Sequence, residues 1–129
     1  MTQIRRGAFW LYRILLPVYV LGVLVAFVLA GQAVFERMND FDAHQGAGFL
    51  TAMAGSLLLF LLALISWRDR ATVGLTFLLA VLGVIVQSVL ATFEHPWVGA
   101  FHPLNGVVIL GLSTHLMMRA WRGRLALPA

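Results

Sequence analysis

Residues 71–93 read ATVGLTFLLAVLGVIVQSVLATF, a run of 23 residues without a charged side chain. Two further charge-free runs occupy residues 14–35 and 45–67, and a shorter one occupies residues 103–118. A helix needs about 20 apolar residues to cross the hydrocarbon core of a bilayer. The sequence therefore predicts an all-α integral membrane protein. We expect residues 1–129 to form one domain with four spans, at about 10–34, 45–67, 71–93 and 101–121.

The composition of the chain agrees with this class. Hydrophobic residues make up 61% of the 129 residues and charged residues only 11%, whereas a soluble domain has about 25% charged residues. The chain contains no cysteine, which excludes disulfides and covalent haem attachment. Because short connections join the spans, the predicted fold is an up-down four-helix bundle.

The basic residues are distributed unevenly, and all nine of them are arginine. Arg37 lies on one side of the predicted spans, and the other eight lie on the opposite side: Arg5, Arg6, Arg13, Arg68, Arg70, Arg119, Arg122 and Arg124. By the positive-inside rule, we expect both termini to be cytoplasmic. The sequence pI of about 11.2 follows from this topology, so we predict no nucleic-acid partner.

Two short stretches resemble each other: His44-Gln-Gly-Ala-Gly48 and His102-Pro-Leu-Asn-Gly106. Each has a histidine four residues before a glycine at the start of an apolar run, so the two lie on one helix face. The spacing indicates two duplicated hairpins, with an imidazole above a gap where a flat cofactor fits. We expect His44 and His102 to be the axial ligands of one b-type haem, with Gly48 and Gly106 lining the cofactor.

The opposing interpretation is that both histidines are interfacial polar residues and that both glycines are packing notches. Gln32 and Gln87 are polar residues in otherwise apolar spans. They either bind the cofactor by orienting an axial imidazole or a propionate, or they form interhelical hydrogen bonds. His95 is the alternative ligand to His102. His115 has no histidine partner at its depth, so no second haem is expected.

The layout resembles a family of small, uncharacterised four-helix bacterial membrane proteins. The matching residues are His44 with Gly48, and the H-P-x-N motif His102-Pro103-Leu104-Asn105. More distantly it resembles one half of haem A synthase, whose four-helix halves bind haem between histidines on their second and fourth helices. The resemblance implies that His44 and His102 are the ligands. This chain has one bundle instead of two and no acidic residue matching that enzyme's catalytic glutamate, so the resemblance implies haem binding more than haem modification.

The predicted function is electron transfer through haem b near the outer face, with a quinol or an exported redox partner. No nucleophile–base–acid set is present, and no catalytic residue is predicted. One alternative is an accessory or assembly subunit that docks to other membrane protein subunits through small residues at every fourth position of the first span (Gly22, Ala26 and Ala30). Another is a carrier for a small lipophile, with Gly48 and Gly106 lining the cleft.

Overall fold

A computed structural model describes residues 2–35, 41–66, 69–93 and 95–122. Its four long helices are α1 (Gln3–Phe35), α2 (Asp42–Ser66), α3 (Arg70–Thr92) and α4 (Phe101–Trp121). A short helical turn, Pro96–Gly99, precedes α4. The predicted all-α class and the four helices are confirmed. The predictions for Arg37, Arg68 and Arg124 lie outside the described residues.

Three of these helices, α1, α2 and α3, are long and apolar enough to cross a membrane. The fourth helix has 21 residues, but His102, Pro103 and Asn105 interrupt the apolar character of its first turns. The sequence predicts four spans, and within the described residues the length and composition of the helices support three of them.

The helices pack around one apolar core to which all four contribute. Fully buried side chains include Phe9, Leu59, Leu79, Ile109 and Leu116. The main contacts join α1 to both α2 and α4, and α3 to the same two helices. Large apolar side chains on the outer faces remain exposed, among them Leu21, Val28, Leu50, Phe77 and Val107.

Helices α2 and α3 each contain a π-helical stretch, at Phe49–Gly55 and Val81–Val86. In the second stretch the backbone N–H of Gln87 donates to the Leu82 carbonyl, five residues earlier. The two stretches pack against each other, and a Cβ atom on Gly83 would collide with the Ala52 carbonyl. Glycine at position 83 therefore permits the close approach of the two backbones.

Helix α1 continues through Pro17, which has no amide hydrogen to offer the carbonyl four residues earlier. That carbonyl belongs to Arg13, and the Trp121 indole nitrogen donates to it at 3.2 Å. The end of α4 thus supplies the hydrogen bond that the proline removes from α1.

Candidate functional site

The first turns of α2 and α4 bring the two predicted ligands together. The imidazole rings of His44 and His102 have centroids 6.0 Å apart and planes inclined by 75°. We call these two side chains the imidazole pair. They lie 58 positions apart in the sequence, so the tertiary fold is what brings them together.

One member of the pair, His44, is bound to the backbone of α1. Its Nδ1 atom lies 2.8 Å from the Ala26 carbonyl oxygen. A carbonyl only accepts hydrogen bonds, so Nδ1 carries the proton and Nε2 of the neutral ring carries the lone pair. Histidine ligands of metals are commonly oriented in this way, by a backbone carbonyl on the other ring nitrogen.

The other member, His102, contacts Gln87 of α3 through both ring nitrogens. Its Nε2 lies 3.2 Å from the Gln87 Nε2, and its Nδ1 lies 3.3 Å from the Gln87 carbonyl oxygen. Asn105, one turn further along α4, donates to the Gln87 Oε1 at 2.5 Å and to the Leu82 carbonyl at 3.1 Å. A continuous hydrogen-bonded chain therefore runs from Leu82 to His102.

The two glycines predicted beside the cofactor have different surroundings. Gly48 has open space where a Cβ would lie, whereas a Cβ on Gly106 would be 2.9 Å from Cζ of the Phe27 ring. Below Gly48, Ala52 and Ser56 are buried and pack on α3. The face of Gly106 is therefore filled by Phe27, and the open face is at Gly48.

The remaining predicted residues are exposed, and within the described parts of the chain they form no hydrogen bond with the pair. Gln32 is exposed near the end of α1 and forms no hydrogen bond with His44 in the part of the chain that the structure describes. His95 is exposed ahead of the short turn, where its carbonyl accepts from Val98 and Gly99. His115 is exposed on the second half of α4. Of the two predicted glutamines, only Gln87 contacts an imidazole.

Asn105 and Phe27 are site residues that the sequence analysis did not select. Asn105 is buried, and the signal that could have identified it is its place as the last residue of H-P-x-N. Phe27 gave no signal, because one more aromatic residue in an apolar span is ordinary. Within residues 2–35, 41–66, 69–93 and 95–122, no cluster of three or more His, Cys, Asp or Glu suits a metal ion.

A second polar cluster lies at the opposite end of α3 and α4, and we call Asp69, Thr72 and Arg119 the arginine clasp. Asp69 caps α3 by accepting from the amides of Ala71 and Thr72, and Arg119 Nη2 donates to its Oδ2 at 2.7 Å. The Thr72 hydroxyl and the Arg119 guanidinium lower the pKa of the Asp69 carboxyl to about 2.

The imidazole pair could supply two nitrogen ligands to one haem iron, since the two rings lie with their centroids 6.0 Å apart. The lone pair on the His44 Nε2 suits such a ligand. The Gln87 amide and the Phe27 ring occupy space that a macrocycle needs, so both must move for haem to enter. The two histidine nitrogens therefore suit a haem iron, and the space for the macrocycle opens only when Gln87 and Phe27 move.

The comparisons with known proteins show a family and no activity. The model of a family of unknown function, DUF6220, matches residues 26–93, just over half of the chain, and this protein belongs to that family. The matched stretch contains Ala26, His44 and Gln87 and ends before His102. No curated protein and no solved structure matches the chain.

Proposed function

We propose that this protein spans a bacterial inner membrane four times as an up-down bundle and binds one b-type haem between His44 and His102. Two features support the membrane setting. Large apolar side chains cover the outer faces of the helices, while the buried polar residues Ser56, Thr76 and Ser113 lie inside. Soluble proteins rarely expose apolar patches larger than a few hundred Å².

The arginines support the orientation with cytoplasmic termini. Arg5 at the start of α1 donates to the Ile65 carbonyl at the end of α2, and Arg119 at the end of α4 reaches Asp69 before α3. These contacts collect the arginines of the described residues at one end. Arginine-rich ends stay in the cytoplasm, which directs the imidazole pair to the outer leaflet.

The observation that carries the haem proposal is the imidazole pair itself. Two histidines that are 58 positions apart in the sequence lie with ring centroids 6.0 Å apart, and one of them is oriented through Nδ1 by a backbone carbonyl. A histidine buried only for packing needs no second imidazole at ligand distance. A bound haem would supply one-electron redox chemistry, and a quinol or an exported redox protein would be its partner.

The residues of this chain would divide the work of binding. His44 and His102 would hold the iron, and Gly48 would leave room for the macrocycle. Gln87 would release the His102 Nε2 atom, and Phe27 would withdraw from Gly106. With the iron held by two histidines, the protein would transfer electrons, and we assign no catalytic residue.

The test is an absorption spectrum of the protein purified in detergent after expression with sufficient haem. We expect sharp Soret and alpha bands on reduction. His44→Ala and His102→Ala should each abolish or convert the low-spin spectrum. His115→Ala is the matched control and should leave it unchanged, because His115 is exposed on the same helix as His102.

Two outcomes would overturn the proposal. A colourless protein that also fails to bind added haem favours the accessory-subunit alternative. A full six-coordinate spectrum in both alanine variants places the ligands elsewhere, with His95 next. Gly48→Leu tests the seat of the haem separately, because its side chain would fill the open face and should reduce haem content.

A further inference from the structure

The hydrogen-bonded chain beside His102 has a fixed direction, and its anchor is the Leu82 carbonyl. This carbonyl accepts from the backbone N–H of Gln87 within the π-helical stretch and from the Asn105 side chain at 3.1 Å. A backbone carbonyl has no hydrogen to donate. The Asn105 side chain must therefore point its NH₂ group at Leu82.

The orientation of Asn105 determines that of Gln87. The same Asn105 Nδ2 atom lies 2.5 Å from the Gln87 side chain, so the atom facing it must be an acceptor, the Gln87 Oε1. The Gln87 NH₂ group then points at His102. The Nε2 of His102, 3.2 Å away, has to accept that hydrogen bond, and the ring proton therefore lies on Nδ1, which donates to the Gln87 carbonyl.

We infer that Asn105 acts through Gln87 to hold the proton of His102 on Nδ1, and that the Gln87 side-chain amide caps the Nε2 atom with which His102 would hold a haem iron. Asn105 is a positioning residue and Gln87 is the cap. The capping role of Gln87 rests on the proposed function, and the positioning role of Asn105 does not. The consequence is a ligand nitrogen that is kept unprotonated but covered, so that the tautomer needed for iron exists before the iron arrives.

The two residues have opposite expected effects. Asn105→Leu removes the donor that orients Gln87, so the Gln87 amide turns, offers Oε1 to the imidazole and draws the proton to Nε2. Gln87→Leu removes the cap but keeps the backbone carbonyl that accepts from Nδ1. Haem uptake should therefore fall with the first variant and rise roughly fivefold with the second, the factor expected from one net hydrogen bond.

The experiment is nitrogen-15 NMR of histidine-labelled full-length protein in detergent without haem, followed by haem titration of the same samples. His102 signals are assigned by their loss in His102→Asn. We expect a protonated Nδ1 and an unprotonated Nε2 in the unmodified protein and in Gln87→Leu, and a protonated Nε2 in Asn105→Leu. Gln32→Leu is the matched control, since that glutamine is exposed, and it should change neither measurement.

An unchanged His102 tautomer in Asn105→Leu, or the same change in Gln32→Leu, would overturn the inference. Helix content from circular dichroism checks folding, and Asn105→Ala, which removes the same donors with less bulk, replaces Asn105→Leu if the latter does not fold. If the tautomers behave as expected and haem still does not bind, the positioning role stands and the haem proposal fails. If haem binds equally to all variants, the capping role of Gln87 is wrong.

Discussion

The imidazole pair and the arginine clasp lie at opposite ends of α4, and they use different chemistry. At the clasp, Asp69 accepts from Arg119 and from two backbone amides that begin α3. At the other end, neutral imidazole and amide groups are joined to one another and to the carbonyls of Ala26, Leu82 and Gln87. One end is bound by opposite charges and the other by neutral groups.

The difference indicates which end is free to take a ligand. In the clasp the carboxylate is engaged by a guanidinium, a hydroxyl and backbone amides, and an incoming ligand would have to break a charged contact. In the imidazole pair the exchange concerns neutral hydrogen bonds, each worth about 1 kcal/mol net. We interpret the arginine clasp as a contact that stabilises the bundle, and the imidazole pair as the end of the bundle that binds a ligand.

The largest expected effect separates the two ends through the close contact of α2 and α3. In Gly83→Ala the new Cβ would collide with the Ala52 carbonyl, so a backbone must shift, at about 1–3 kcal/mol for overpacking. Leu82 and the Asn105 chain should move with it, whereas the clasp, more than two helical turns away, should not. Thermal unfolding in detergent measures the first effect and histidine NMR the second.

Gly74 is the matched control on the same helix, because no atom lies within 4 Å of the Cβ it would gain. Gly74→Ala should stabilise the protein slightly, by about 0.4–1 kcal/mol, since alanine loses less backbone entropy in a helix. Equal losses of stability at both positions would refute the role of Gly83 as a contact glycine.

The second prediction concerns the clasp alone. Asp69→Ala removes the cap of α3 and the partner of Arg119, and should cost about 1–2 kcal/mol. Asp69→Asn keeps a capping side chain and should cost less, because the exposed ion pair contributes under about 1 kcal/mol. Neither variant should change the His102 tautomer. A tautomer change would show that the two ends are coupled.

The clasp also makes stability depend on pH, in a direction fixed by the pKa of Asp69. Folding lowers that pKa from its usual 3.8 to about 2, so the folded protein prefers the ionised carboxylate. This contribution is present in full above roughly pH 5 and is lost as the pH falls toward 2. The melting temperature of Asp69→Asn should lack that part of the acid dependence, and an identical acid profile would contradict the assignment.

The fold was largely predictable from charge-free runs, because a helix that lacks charges for 23 residues has few alternatives. The helices differ from the predicted spans mainly at their ends: α1 begins at Gln3, where Arg5 contacts α2, although the span was predicted from residue 10. The π-helical stretches were not predictable. They pack against each other at Gly83 and Ala52, and hydropathy carries no information about a hydrogen-bond register.

The candidate site was predictable in part, for a related reason. The repeated His-x-x-x-Gly pattern selected His44 and His102, and the structure places their rings side by side. The same symmetry suggests that Gln32 and Gln87 have equivalent roles. Gln87 directly follows the π-helical stretch of α3, and its side chain contacts the His102 ring. In α1 the residue that contacts an imidazole is Ala26, through its carbonyl. Tertiary packing decides such details.

The smallest expected effect tests how α4 is held at the arginine end. Trp121→Phe keeps an aromatic ring beside Arg13, whose guanidinium carbon lies 4.5 Å from the centroid of the Trp121 ring. It removes the indole donor to the Arg13 carbonyl and should therefore cost about 1 kcal/mol. Pro17→Ala restores an amide hydrogen that can bond to that carbonyl within α1. In this background Trp121→Phe should cost measurably less, because the carbonyl keeps a partner. A double-mutant cycle on melting temperature measures the difference, and equal costs in both backgrounds would mean that Trp121 contributes through its ring alone.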